Sequence, residues 1–230
     1  MAAKKKSARV RSSTGPKAKP KPARTSTRKL ARKPAPKARQ KRAPAAKPAK
    51  AAPAVSQFFT PDGGPWGRCF LPRAAGERRY WLVKSEPDVF SWDDLVMAPG
   101  RTTCWDGVRN FAARNFLRDA MKQGDGVFFY HSMADPQHIA GVCEVVREGY
   151  PDHTAFETAH HGYDDASSPD DPTWFMVDLR AVEPLARPVT LPEMKAVKAL
   201  AQMALLRIGR LSVTPVTAAE WDAILAMARA

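Results

Sequence analysis

Arg79-Tyr80-Trp81-Leu82-Val83-Lys84-Ser85-Glu86-Pro87 opens the folded part of this chain. Its aromatic and branched residues predict a strand from Arg79 to Lys84, and Pro87, which has no amide hydrogen, keeps that strand from continuing as a central ladder. Downstream, Ser91 with Asp94 three residues on forms a capping box for a short helix through Met97, closed by Pro99-Gly100. Asn110 to Lys122 predicts the best-formed helix. Gly124-Asp125-Gly126 then turns into a strand, Val127 to Ser132, with Ile139 to Glu148 as its hairpin partner. Trp174 to Val182 alternates, with Phe175, Val177, Leu179 and Ala181 on one face and Met176, Asp178 and Arg180 on the other. Thr217 and Glu220 form a second capping box, and Trp221, Ile224, Leu225 and Ala228 line one side of the helix it starts. About four strands, expected to be antiparallel, with short helices predict an α+β fold built on a curled sheet or small barrel.

Residues 80–230 suffice for one domain with one core. Residues 54–79 read as a linker from their glycines and prolines, although Phe58, Phe59, Trp66 and Phe70 are able to dock on the domain. Residues 1–53 repeat Lys, Ala, Pro and Arg without any aromatic residue. Such a segment cannot bury enough apolar surface to offset the entropy of ordering it, so a disordered tail is expected.

Charge divides the chain in the same way. Residues 1–61 hold 19 Lys or Arg and no Asp or Glu, whereas residues 62–230 hold 18 basic and 23 acidic side chains. The formal charge of +14 therefore belongs to the tail, and the remainder sits at −5. A duplex phosphate array suits such a tail. A solubilising segment and an organelle transit peptide are the other readings of an Arg-containing, acid-free N-terminus.

Neither a secretory h-region nor a run of about 18 apolar residues occurs, so a soluble, intracellular protein with no membrane partner is expected, in the cytoplasm or nucleoid of a bacterium or the nucleus of a eukaryote. Cys69, Cys104 and Cys143 are odd in number and far apart, which argues against a disulfide framework and against a zinc knuckle. His160-His161 has no third ligand at metal spacing, and no Gly-rich phosphate loop, nucleophile elbow or HExxH is present. No catalytic residue, metal or cofactor is assigned. An enzyme acting on nucleic acid would need His131 as base with a carboxylate such as Glu86. A structural nucleoid or chromatin protein is a third class.

The helix from Asn110 carries chemistry. Ala113, Phe116, Leu117 and Ala120 gather on one side, while Arg114, Arg118 and Lys122 follow at i, i+4 and i+8 on the other, with Phe111 among them. Interleaved aromatic and cationic groups suit base stacking and phosphate contact, and they also suit an ordinary solvated face.

Beyond the strand opening, Cys104-Trp105-Asp106-Gly107-Val108-Arg109-Asn110 leads into Ala113-Arg114-Asn115-Phe116-Leu117-Arg118. There follow Phe128 to Ser132, Ile139-Ala140-Gly141, Tyr150-Pro151-Asp152-His153-Thr154, Trp174 to Asp178 and Arg210 to Pro215. In this order the motifs resemble the EVE domain family over about Tyr80 to Met227. The tail resembles linker-histone-like arms in composition alone.

That resemblance implies a PUA-like fold, a small mixed β-barrel with short peripheral helices related to the YTH and ASCH domains. It also implies binding of nucleic acid bearing a modified base, modified cytosine in DNA ahead of RNA, without cofactor or reaction. A base reader needs a flat ring, donors and acceptors. Trp105, in a polar loop, is a candidate stacking platform or else a core ring. Asn110 offers an amide to a base edge and equally a helix N-cap. Lys84, Ser85, Tyr130, His131 and Ser132 come from strand ends that the resemblance places around the pocket, although the serines also suit the capping of buried backbone groups. Arg109, Arg114, Arg118 and Lys122 are the expected phosphate contacts.

Overall fold

The opening stretch forms a strand, Tyr80–Ser85, in a computed structural model that describes residues 66–230. The expectations for the tail and for residues 54–65 lie outside the described residues. Among the described residues the strands are β1 (Tyr80–Ser85), β2 (Thr102–Cys104), β3 (Gly126–His131), β4 (His138–Pro151), β5 (Phe175–Thr190) and β6 (Val213–Val216). They form one six-stranded sheet in the order β2-β5-β4-β3-β1-β6. β1 and β3 run parallel, with Lys84 opposite Tyr130 and Ser85 opposite His131, and the other pairs are antiparallel. The expectation of antiparallel strands throughout is corrected there, because the chain between β1 and β3 crosses over through helices instead of turning back.

Six strands replace about four. β2 has three residues, and β6 has four, one of them Pro215 at the sheet edge, so neither is long enough to show a period. Register shifts interrupt the β3–β4 and β4–β5 ladders, and such bulges curl a sheet. β1 and β3 read as continuous apolar runs because both of their faces are buried. Trp81, Val83 and Phe129 face one cluster with Phe116 and Leu117, whereas Leu82, Phe128 and Tyr130 face another with Trp221 and Ile224. β5 starts in the same way. Met176, expected beside Asp178 and Arg180 on a polar face, is as buried as Val177.

Among the described residues the α-helices are α1 (Trp92–Met97), α2 (Phe111–Asn115), α3 (Leu191–Ala196), α4 (Ala204–Arg207) and α5 (Ala218–Arg229). Both expected capping boxes are formed, and Thr190 with Glu193 makes a third at α3. The continuous helix expected from Asn110 to Lys122 is corrected. α2 passes into a π turn, Phe116–Ala120, where the Met121 N–H donates to the Phe116 carbonyl five residues back. The wider turn breaks the 100° spacing that aligned Arg114, Arg118 and Lys122. Gly149 of β4 lies against it, and a Cβ there would stand 2.6 Å from the Leu117 carbonyl oxygen.

Residues 66–79 of the expected linker pack on the domain. Trp66 meets Phe116 edge-on at 5.8 Å and Phe70 stacks on the same ring at 5.6 Å. Asp125, fully buried, fixes this arm: its carboxylate accepts from both terminal nitrogens of Arg73 (2.6 and 2.7 Å), the Arg79 N–H (3.1 Å), Trp81 Nε1 (2.8 Å) and the Lys122 N–H (3.0 Å).

Candidate functional site

Two adjoining cavities open beside the C-terminal end of β1. Lys84, Glu86 and Ser212 line both, so Lys84 stands at the wall between them. Its ammonium donates to the Gly209 carbonyl at 2.9 Å, and burial holds its pKa below the ordinary lysine value.

The first cavity, about 420 Å³, is bounded by Ser85, Phe90 and the loop from Trp105 to Arg109, with His161 beside Gly107. β2 delivers that loop, since the Trp105 N–H donates to the Val177 carbonyl (2.8 Å) and prolongs the β2–β5 ladder. Gly107 then takes a left-handed backbone, φ +69°, which a side chain would strain.

Asp152 clamps the loop. One oxygen accepts from the Gly107 N–H (3.0 Å) and Arg109 Nη1 (2.7 Å), the other from the Thr154 N–H (2.9 Å) and hydroxyl (2.6 Å). Burial pushes the Asp152 carboxyl up, but the Thr154 and Arg109 hydrogen bonds, the Arg109 charge and the Gly107 N–H together hold it below its ordinary value. Arg109 also donates through Nε to the Gly162 carbonyl (2.7 Å) and caps the Trp174 ring from 5.4 Å. Sequence reading missed Asp152, Asp106, His161 and Ser212. The Asp152-His153-Thr154 run does carry a signal, an aspartate capping a short helical turn.

The second cavity, about 540 Å³, takes Tyr130 and Ser132 from the end of β3, Gln137 from the following loop, Lys195 from α3, and Arg210. Tyr130 donates its hydroxyl to Gln137 (3.1 Å), and burial pushes its pKa up to about 12. Among the described residues no group of three His, Cys, Asp or Glu is placed to hold a metal.

A family model described as the EVE domain matches residues 79–227. The chain belongs to the EVE domain family. Mouse thymocyte nuclear protein 1 is 47% identical over 165 residues, which cover 64% of this chain and 73% of that protein. Among solved structures, the human THYN1 protein in complex with 5-methylcytosine-containing DNA is 43% identical with a TM-score of 0.64, covering 66% of this chain and 98% of that one. A hypothetical protein from Leishmania major matches at 44% identity and TM-score 0.64, over 68% and 98% of the two chains.

The EVE domain brings together part of the expected residue set. Lys84, Ser85, Trp105 and Arg109 share the first cavity, and Lys84, Tyr130 and Ser132 share the second. Trp105, only 8% exposed and T-shaped to Phe129 at 5.6 Å, belongs to the core and also lines the first cavity. The serines tie strand ends together, Ser85 Oγ donating to the Phe90 carbonyl and Ser132 Oγ to the Ser85 carbonyl.

Asn110 lines neither cavity. Its Oδ1 accepts from the Ala112 (2.9 Å) and Ala113 (3.1 Å) N–H groups, the cap that the sequence also offered. His131 lines neither as well. Its Nε2 accepts from the Trp92 N–H (3.1 Å), and burial, assisted by His138, depresses its pKa, so it sits in the framework as a neutral ring with no hydrogen bond to Glu86.

The four expected phosphate contacts are engaged within the EVE domain. Arg109 is held by Asp152, and Arg114, only 8% exposed, donates to Asn115 (3.0 Å) and the Thr173 carbonyl (3.0 Å). Arg118 pairs with Asp119 at 2.8 Å and Lys122 with Glu148 at 3.0 Å. Phe111 is 61% exposed and stacks on Trp174 at 5.0 Å.

Proposed function

We propose that this EVE domain is a non-catalytic reader that takes one extruded modified cytosine of DNA into the first cavity. The observation that carries the reading is the Trp105–Arg109 loop, whose Trp105, Asp106 and Arg109 line one recess, in a chain 43% identical to a protein captured with 5-methylcytosine-containing DNA. At about 420 Å³ the recess falls within the range of small-ligand sites. Extruding a base costs a few kcal/mol, which stacking and edge hydrogen bonds must recover. Asp106 is the acceptor suited to the exocyclic amine of cytosine, while Val89, Phe90 and Val108 offer apolar surface to a methyl group.

Stacking on an aromatic ring contributes ~1 to 3 kcal/mol per base, roughly a 5- to 150-fold effect. Trp105→Leu is therefore expected to lower affinity for a 5-methylcytosine duplex by a factor in that range and to bring it towards the affinity for the unmodified duplex. Titration of folded variant against both duplexes checks this. An unaltered preference in the variant would remove Trp105 from the site.

Residues 1–61, with 19 basic side chains and no acid, supply sequence-independent attachment in this reading. Deleting residues 1–50 should weaken binding to modified and plain duplexes alike and flatten the salt dependence. Loss of discrimination at matched occupancy would instead put the tail in the recognition step.

A further inference from the structure

We infer that the stretch Met194–Ala219 carries a phosphate-contacting surface at the second cavity, in which Lys195, Lys198, Arg207 and Arg210 grip the nucleic-acid backbone beside the extruded base. This rests on the nucleic-acid reading proposed above and gives the domain a backbone site of its own.

The net charge of −5 over residues 62–230 conceals an uneven distribution. From Met194 to Ala219 the sequence has four basic side chains and no Asp or Glu. The flanking acids are occupied: Glu193 caps Thr190 and pairs with Arg187 at 2.8 Å, and Glu220 caps Thr217. Elsewhere, Arg73, Arg109, Arg118, Lys122 and Arg180 each sit against a carboxylate. Lys195, Lys198, Arg207 and Arg210 differ. All four are exposed, and among the described residues their side chains form no ion pair or hydrogen bond.

The backbone beneath them is anchored. Met194, Leu200, Met203 and Leu205 are buried in the core, so the stretch alternates apolar anchors with outward cations. Lys195 and Arg210 stand on the wall of the second cavity together with Lys84, which it shares with the first. A base in the first cavity therefore has its flanking backbone beside Lys84, Lys195 and Arg210, with Glu86 as the carboxylate on the same wall. At physiological salt the screening length is about 8 Å, so acids on other faces of the domain do little to cancel that field.

The test uses the full chain with Lys195→Gln, Lys198→Gln, Arg207→Gln and Arg210→Gln combined, and Arg118→Gln with Lys122→Gln as the comparison. Affinity for a modified and a plain duplex is measured across a salt series after thermal melts show that the variants are folded. For every phosphate that the variant no longer neutralises, the slope of log K against log salt should become shallower by about 0.9, up to roughly 3.6 for four. The modified-to-plain ratio should hold, and the comparison variant should keep the wild-type slope. A fourfold variant with the wild-type slope, or a comparison variant that flattens it equally, overturns the inference. A slope that flattens on the fourfold change, in a protein that never prefers the modified duplex, would defeat the base-reader proposal and leave this surface standing.

Discussion

Replacing Asp125 with Ala is expected to lower the unfolding free energy by about 3 to 5 kcal/mol, the cost of removing one partner from a buried ion pair. A domain has only about 5 to 15 kcal/mol to lose. The expectation rests on the number of donors that converge on this carboxylate. Arg73 approaches with two nitrogens, Trp81 with its indole N–H, and Arg79 and Lys122 with backbone amides. Alanine leaves these donors without an acceptor and leaves the Arg73 charge against the domain without its counter-ion. Asp125→Asn keeps an acceptor oxygen and should fall between wild type and Ala. Urea titration of the three proteins gives the order directly. The Trp66–Phe70 segment should loosen as well, read as faster proteolysis between residues 66 and 79. An Ala variant within 1 kcal/mol of wild type would mean that water replaces the carboxylate.

What the sequence disclosed is what depends on near neighbours. The Ser91/Asp94 and Thr217/Glu220 boxes lie within a single turn, and β1, β3 and β4 carry branched and aromatic runs long enough to read. Parallel pairing of β1 with β3 depends on residues 46 apart and leaves no local mark. The π turn was hidden for a related reason: an i, i+4 pattern assumes the 3.6-residue turn, and the close approach of Gly149 to Leu117 is a tertiary fact. The site divided along the same line. Residues on the loop and strand ends, Lys84, Ser85 and Trp105, do line the first cavity, because the motifs that contain them are contiguous. The cations expected on phosphate all have partners within the domain, and of the four only Arg109 lines the first cavity. Whether an arginine is available to phosphate depends on which acid or carbonyl folds against it, and Asp152 and Thr173 are 43 and 59 residues from the arginines they hold. The net charge misled in the opposite direction, by averaging the free cations of Lys195 to Arg210 with paired charges elsewhere.

Asp152→Asn is expected to lower affinity for a modified-cytosine duplex more than tenfold while the sheet remains folded. The side chain touches no ligand in this reading and acts by positioning. One of its oxygens holds the Gly107 amide and the Arg109 guanidinium together, which sets the path of the loop between Trp105 and Arg109. An amide of the same shape offers one acceptor oxygen where the carboxylate uses two, brings no charge to Arg109, and its NH₂ group adds donors where donors already converge. Displacing the loop by about 1 Å is enough to spoil a preorganised site. A merely structural role would leave the modified-to-plain ratio unchanged once both proteins are equally folded, so that ratio is the discriminating measurement. The pH dependence of stability is an independent readout. Because folding depresses the Asp152 pKa, the carboxylate contributes stability above its unfolded value of about 3.9, and that contribution is lost as pH falls through the lower folded value. Wild type should therefore lose stability faster than Asp152→Asn below about pH 4. Parallel acid profiles for the two proteins would show that the Arg109 contact does not hold the loop in solution.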